Sequence, residues 1–233
     1  LNYLSHFYFN SRLLNIPVDR HWFHWGAAMP DLLRVHRKDH RLRLNNIPQS
    51  PDRPASLAFW EGVKNHLLTD RIYHQSELFN EFQTCLIRLF RAQNPILGEF
   101  PLNYIAHISQ ELLLDYILFK HHADLADEFY RAIAETEIPR IADELNILFP
   151  GNGSLVPFIR RFTKEKYLNH YGNLEYLIGI LFYKVNRLSP KKLSGVFFTD
   201  FEIVYNKGTA MIEPEVNGLM GSLLKRFPSE LTV

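Results

Sequence analysis

A single cysteine in 233 residues, Cys85, excludes an internal disulfide and any zinc site built on thiolates. No one sign of charge dominates: 26 Lys and Arg stand against 25 Asp and Glu, so nothing global directs the chain to nucleic acid or an anionic membrane surface. The longest apolar run, residues 176–183, is far shorter than the roughly 20 residues that span a bilayer. The opening Leu1-Asn2-Tyr3-Leu4-Ser5-His6 lacks the basic start and apolar stretch of a secretory leader. A glycine-rich phosphate loop and a nucleophile elbow are also missing. The expectation is a soluble, cytoplasmic protein with no membrane and no nucleic-acid partner.

What is present is helical periodicity, with no convincing series of alternating strands. Helices are expected over residues 1–14, 21–33, 56–74 (or to 79), 80–91, 102–120, 123–135, 155–168, 174–188, 190–205 and 213–224. Met29-Pro30 is expected to interrupt the second. Pro48, Pro51 and Pro54 mark residues 45–54 as a loop, after which Ser56 offers an N-cap. Asn94-Pro95 and Phe100-Pro101 bracket another loop, and Pro139 suits the first turn of a helix. The stretch 102–120 is apolar nearly all round and reads as a central, buried helix. Pro150-Gly151-Asn152-Gly153 is the clearest break. The fold class is all-α: one helical domain over 1–233, in which 1–150 carries the site helices and 151–233 packs on them.

Two stretches set His and acid residues four apart. A four-residue step advances a helix by about 40° beyond a full turn, so residues at this spacing share a face. His66, Asp70 and His74 fall on the arc of Phe59, Val63 and Leu67, and His107, Glu111 and Asp115 on that of Tyr104, Ile108 and Leu118. Carboxylates on an apolar face cost several kcal/mol unless compensated, and a metal ion is the usual compensator. The candidate ligands are His6, Asp31, His66, Asp70, His107, Glu111 and Asp115, with His74 at the edge. Mixed imidazole and carboxylate suits Mn, Fe or Zn better than an all-oxygen Ca or Mg site. The competing reading makes these residues hydrogen-bonded core and surface ion pairs; His21 and His24, beside Trp22 and Trp25, are assigned to packing. Asp31 follows the small-residue run Gly26-Ala27-Ala28, which suits either a helix cap or a carboxylate brought close to an ion. Between Arg34 and Arg43, five basic residues (Arg34, Arg37, Lys38, Arg41 and Arg43) face one acid, a segment suited either to solvent or to docking an acidic partner.

Asn2-Tyr3-Leu4-Ser5-His6, Asp31, Thr69-Asp70 and Glu111-Leu112-Leu113-Leu114-Asp115-Tyr116-Ile117-Leu118 resemble the acyl carrier protein phosphodiesterases. So do Tyr171-Gly172-Asn173-Leu174-Glu175 and the closing Arg226-Phe227-Pro228-Ser229-Glu230-Leu231. The resemblance implies a helical fold related to the HD-type metal phosphohydrolases, with a divalent ion, typically manganese, as cofactor. It implies hydrolysis of the phosphodiester joining 4'-phosphopantetheine to a serine of holo-acyl carrier protein, an acidic partner for the basic segment. His6, Asp31, Asp70, Glu111 and Asp115 match family polar positions, with Glu111 where Asp is expected. The family pattern places His where this chain has Gly62 and Asp where it has His66. The pairs His66/Asp70 and His107/Glu111 also resemble those of zinc-dependent phospholipase C enzymes.

On this reading His66 and Asp70 serve catalysis through the ion, Asp115 ligates or orients an imidazole, and Lys64 or Arg71 balances phosphate charge. The alternatives are an HD-type hydrolase of a nucleotide or other small phosphodiester, and a helical binding protein without catalysis.

Overall fold

Apolar residues recurring at three- and four-residue spacing build helices throughout, and in the computed structural model every regular element among the described residues is helical. The structure describes residues 1–37, 39–48, 53–134, 137–151 and 154–227, the side chain of Leu188 excepted. In chain order the α-helices are α1 (Tyr3–Tyr8), continued by a π-helical stretch (Phe9–Leu13), α2 (His21–His36), α3 (Pro54–His74), α4 (Glu77–Gln93) and α5 (Leu102–His121). There follow α6 (Leu125–Ala134), α7 (Ile138–Asn146), α8 (Leu155–Glu165), α9 (Leu174–Leu188), α10 (Phe198–Ile212) and α11 (Val216–Arg226). None of them is long and apolar enough to cross a membrane.

The central helix is α5, as its all-round apolar surface requires. Leu112, Leu113, Leu114 and Ile117 are buried because α1, α4, α6, α9 and α10 surround it. One continuous apolar core runs from Leu4 and Phe9 to Tyr205 and Leu223, so residues before and after the break at 150 form a single domain. Tyr73 and Gln110 fix the register of α3 against α5, the Gln110 amide donating to the Tyr73 hydroxyl at 2.6 Å.

The closest approach in the bundle is between α2 and α3, and two glycines permit it. A Cβ on Gly26 would stand 1.8 Å from the Phe59 carbonyl oxygen of α3, and one on Gly62 would stand 2.0 Å from the Phe23 carbonyl oxygen of α2. Each helix thus presents bare backbone to the other. Arg20 reinforces the pair, reaching Glu61 at 3.0 Å. Gly62 therefore sits where no side chain fits.

Several boundaries differ from the sequence expectation. Pro30 does not interrupt α2. The helix runs unbroken through it from His21 to His36, with the Gly26 carbonyl losing the donor that Pro30 cannot supply. Ser56 is not an N-cap: α3 begins at Pro54, and the Ser56 hydroxyl donates instead to the buried Glu144 carboxylate of α7. Glu144 also accepts from the Trp60 indole at 3.1 Å, fastening α7 to α3. Residues 190–194 are not helical because they fold back on the end of α9, where the Asn186 side chain accepts from the Leu193 amide at 2.7 Å. A short 3-10 turn, Gly195–Phe197, then leads into α10. Of the expected loop at 45–54, residues 49–52 lie outside the described residues, as do Asn152, Gly153 and the closing 228–233.

His21 and His24 are packing residues, as expected. His21 Nδ1 donates to the Ala132 carbonyl at 2.7 Å and His24 Nε2 to the Pro17 carbonyl at 2.9 Å. Burial depresses the His24 imidazole to about 4, against the pull of that carbonyl.

Replacing Gly62 by Ala should destabilise the protein by at least about 3 kcal/mol in denaturant melts, since rigid backbone must move. Gly179→Ala in α9, where nothing lies within 4 Å, should be neutral or stabilising by up to about 1 kcal/mol. As pH falls from 6.5 towards 4, unfolded chains bind a proton at His24 that the folded protein refuses, so stability falls. His24→Gln should remove up to about 3 kcal/mol of that dependence, read from melts across the same range.

Candidate metal centre

Three helices bring the ligand-type residues together at the floor of a cleft. α1 carries His6, α2 carries Asp31, and α3 carries His66 and Asp70 one turn apart. Ligand atoms of His6, Asp31 and His66 all lie within 4.8 Å of one another. Asp70 stands against them, with Oδ1 3.1 Å from His6 Nε2 and Oδ2 3.4 Å from His66 Nε2. The His6 and His66 rings stack, centroids 3.8 Å apart. Beside this group α3 and α5 build a second: His74, His107 and Glu111 also have ligand atoms within 4.8 Å. Glu111 Oε1 lies 3.2 Å from His107 Nε2 and 3.6 Å from His74 Nε2. The Leu1 nitrogen is 3.0 Å from Asp70 Oδ1 and 3.1 Å from Glu111 Oε1, so carboxylates from two helices meet around one atom.

The tautomer of His66 decides what this arrangement can do. Its Nδ1 donates to the Ala27 carbonyl of α2 at 2.7 Å, which leaves Nε2 as a lone pair facing the Asp70 carboxylate. Two acceptors facing each other repel unless a proton or a metal ion lies between them. Burial opposes a proton on His66, but Asp70 and Asp31 outweigh it and raise the pKa above the usual value. His6 behaves oppositely: burial and the neighbouring His66 lower it to about 3, keeping the neutral form that ligates metals.

The carboxylates pose the complementary problem. Burial pushes Asp31 up, and Asp70 and Glu111 add to the rise while His66 and Lys184 counter it. Its Oδ2 is buried without a hydrogen-bond partner. Burial also works against the charge on Asp70 and Glu111. The Leu1 nitrogen together with His66 and His6 at Asp70, and together with His107 and His74 at Glu111, outweighs it, so both carboxyls lie well below the ordinary range. Three acids and four imidazoles in one place, with Asp31 Oδ2 and His74 Nε2 lacking partners, fit a divalent cation. Metal–ligand bonds of about 2.1 Å set neighbouring ligand atoms about 3.0–3.4 Å apart, and the Asp70 oxygens stand 3.1 and 3.4 Å from His6 and His66.

Asp31, His107 and Glu111 open onto a cleft of about 1010 Å³. Its walls are cationic and aromatic. Arg34 and Arg41 come from the end of α2 and the segment after it, Arg161 from α8, and Lys184 and Arg187 from α9. Tyr104, Tyr171, Tyr176 and Tyr183 line the space between them. Among the described residues Arg34, Arg41 and Lys184 form no salt bridge, although Lys184 lies near enough to Asp31 to favour its charge. Arg187 donates to the Val35 carbonyl at 3.0 Å, bridging α9 to α2 across the cleft wall.

Measured against the sequence expectation, His6, Asp31, His66, Asp70, His107 and Glu111 do converge, and His74 joins them fully. Asp115 does not. It is buried one turn beyond Glu111 and accepts the Leu4 and Ser5 backbone N–H groups at 3.1 and 2.8 Å, so it anchors the first turn of α1 and thereby positions His6. Lys64 and Arg71 are exposed on the far side of α3, because steps of one or two residues from His66 and Asp70 rotate a side chain by about 100° or 200°. Arg37 is paired with Asp39 at 2.7 Å, and neither it nor Arg43 lines the cleft. Lys38 lies outside the described residues. Lys184, Arg187, Arg161 and the cleft tyrosines went unread. The one sequence signal for them is the polar–aromatic stripe Tyr176, Ile180, Tyr183, Lys184, Arg187 at helical spacing.

Compared with protein-family models, curated proteins and solved structures, the chain matches none of them.

Proposed function

We propose that this protein is a divalent-metal-dependent phosphodiesterase, acting on the phosphodiester that joins 4'-phosphopantetheine to a serine of an acyl carrier protein, on a scaffold related to the HD-type metal phosphohydrolases. The observation that carries the reading is the convergence of carboxylates and imidazoles from separate helices beneath a cleft walled by cationic side chains. Such a pairing suits an anionic phosphoester held against a metal. The residues that would hold the ion are His6, Asp31, His66 and Asp70, with manganese the expected metal. When bound, a divalent ion supplies Lewis acidity at a phosphoryl oxygen and makes water nucleophilic near neutral pH.

The chain's own residues do the rest. Lys184 and Arg34 balance the phosphate charge from the cleft walls, the role that Lys64 and Arg71 are too far round α3 to play. Ala27, through its carbonyl, fixes the His66 tautomer, and Asp115 holds α1 in place. The cleft is much larger than a phosphodiester, leaving space for an extended arm such as pantetheine. Arg41, exposed at the rim, favours approach of an acidic carrier surface. A second reading, a nucleotide phosphodiester, is favoured by the tyrosines of the cleft, whose faces suit stacking with a base.

Asp70→Asn should lose bound manganese and at least about 100-fold in hydrolysis while keeping its helical circular dichroism, because the near-isosteric amide leaves the packing of α3 in place. Full activity in that variant, with metal retained, would sink the assignment. Arg41→Glu should lower kcat/KM for holo-carrier protein about tenfold at low salt, with a much smaller effect at high salt and on a small phosphodiester. Hydrolysis of linear or cyclic nucleotides in preference to carrier protein would select the second reading.

A further inference from the structure

His74, His107 and Glu111 are more than a surface ion pair. Both imidazoles aim Nε2 at the same oxygen, Glu111 Oε1, at 3.6 and 3.2 Å. The longer distance is outside hydrogen-bonding range, and His74 Nε2 is buried with no hydrogen-bond partner. A convergent, under-satisfied set of two nitrogens and one oxygen is the donor set of a divalent transition-metal site. The rings are held in that pose by Phe79, whose edge packs on His74 and His107 at 5.0 and 5.3 Å between centroids. The Ser76 hydroxyl accepts from the Phe79 amide at 3.1 Å, so the start of α4 locks the aromatic wedge in place.

The relation of this set to the neighbouring one gives it meaning. α3 supplies His66, Asp70 and His74 at successive four-residue steps, so Asp70 lies midway between the two groups. Its Oδ2 faces His66, while its Oδ1 lies 3.1 Å from His6 Nε2 and faces the Leu1 nitrogen, the point it shares with Glu111. Asp70 and Glu111 each approach that point within about 3 Å, so their oxygens are no more than about 6 Å apart. Paired metals in hydrolytic sites stand about 3.5–4 Å apart, commonly with a carboxylate between them.

We infer that His74, His107 and Glu111 bind a second divalent cation beside the first, making the centre dinuclear with Asp70 between the ions. This inference rests on the metal-dependent reading proposed above. The second position has three protein ligands and faces the cleft through His107 and Glu111, so it keeps coordination positions open for a substrate oxygen.

The test is manganese loading of chelator-stripped full-length protein, read by elemental analysis and by electron paramagnetic resonance. Wild type should take up two ions per chain and show the broadened spectrum of a spin-coupled pair. The double variant His74→Ala/His107→Ala should bind one ion and show an uncoupled manganese signal. Both side chains are about one-third exposed, at 34% and 32%, so the fold should tolerate their loss. His107→Gln, which keeps more of the side chain, should likewise lower the stoichiometry and abolish the coupling. One ion in wild type, unchanged in both variants, would overturn the second site and leave the phosphodiesterase reading standing. No bound manganese in wild type would overturn both.

Discussion

The packing of Gly26 on the Phe59 backbone and of Gly62 on the Phe23 backbone is the constraint on which the rest of the site depends. It lets α2 and α3 approach until backbone meets backbone, and that distance brings the Ala27 carbonyl within reach of His66 Nδ1. The carbonyl selects the tautomer, and the tautomer turns a lone pair towards Asp70. Had either glycine a side chain, α2 would stand off, Asp31 would withdraw with it, and His66 would be free to rotate. The chemistry of the centre is thus set a full turn away from its ligands, by two residues with no functional group.

The second constraint is charge. A protein interior does not hold Asp31, Asp70 and Glu111 close together without cations, since each buried carboxylate costs several kcal/mol of hydration. Imidazoles answer part of this demand. His66 is poised to carry positive charge and His6 is poised against it, although their rings lie face to face. The difference follows from surroundings: Asp70 and Asp31 both favour a proton on His66, while His6 shares Asp70 with a neighbour that already draws on it. The set of Asp31, Asp70 and Glu111 against four imidazoles, with one Asp31 oxygen unpartnered, is the donor arrangement on which the proposed metal site rests.

How much of this was legible in the sequence depends on whether the signal is local. The i,i+4 spacing of His66, Asp70 and His74, and of His107 and Glu111, is a local property of helices, and those residues do meet. The central position of α5 follows equally from its apolar circumference. Asp115 shares the same spacing, yet it faces the amide groups of α1, a partner more than a hundred residues away that no periodicity announces. Lys64 and Arg71 adjoin ligands in sequence but not in space. The basic segment after Arg34 contributes only Arg34 and Arg41 to the cleft, and the opposite wall comes from α9, whose lysine and arginine became meaningful only once the bundle closed. Ser56 misled for a related reason: its usual role at a helix end was overridden by a buried glutamate.

The most direct test of the central claim is anomalous diffraction from crystals grown with manganese, recorded at wavelengths on either side of the metal's absorption edge. A peak bonded to His66 Nε2 and Asp70, with Asp31 and His6 completing its shell, is what the geometry predicts. Well-diffracting crystals with those side chains ordered as described and no anomalous peak among them would contradict it.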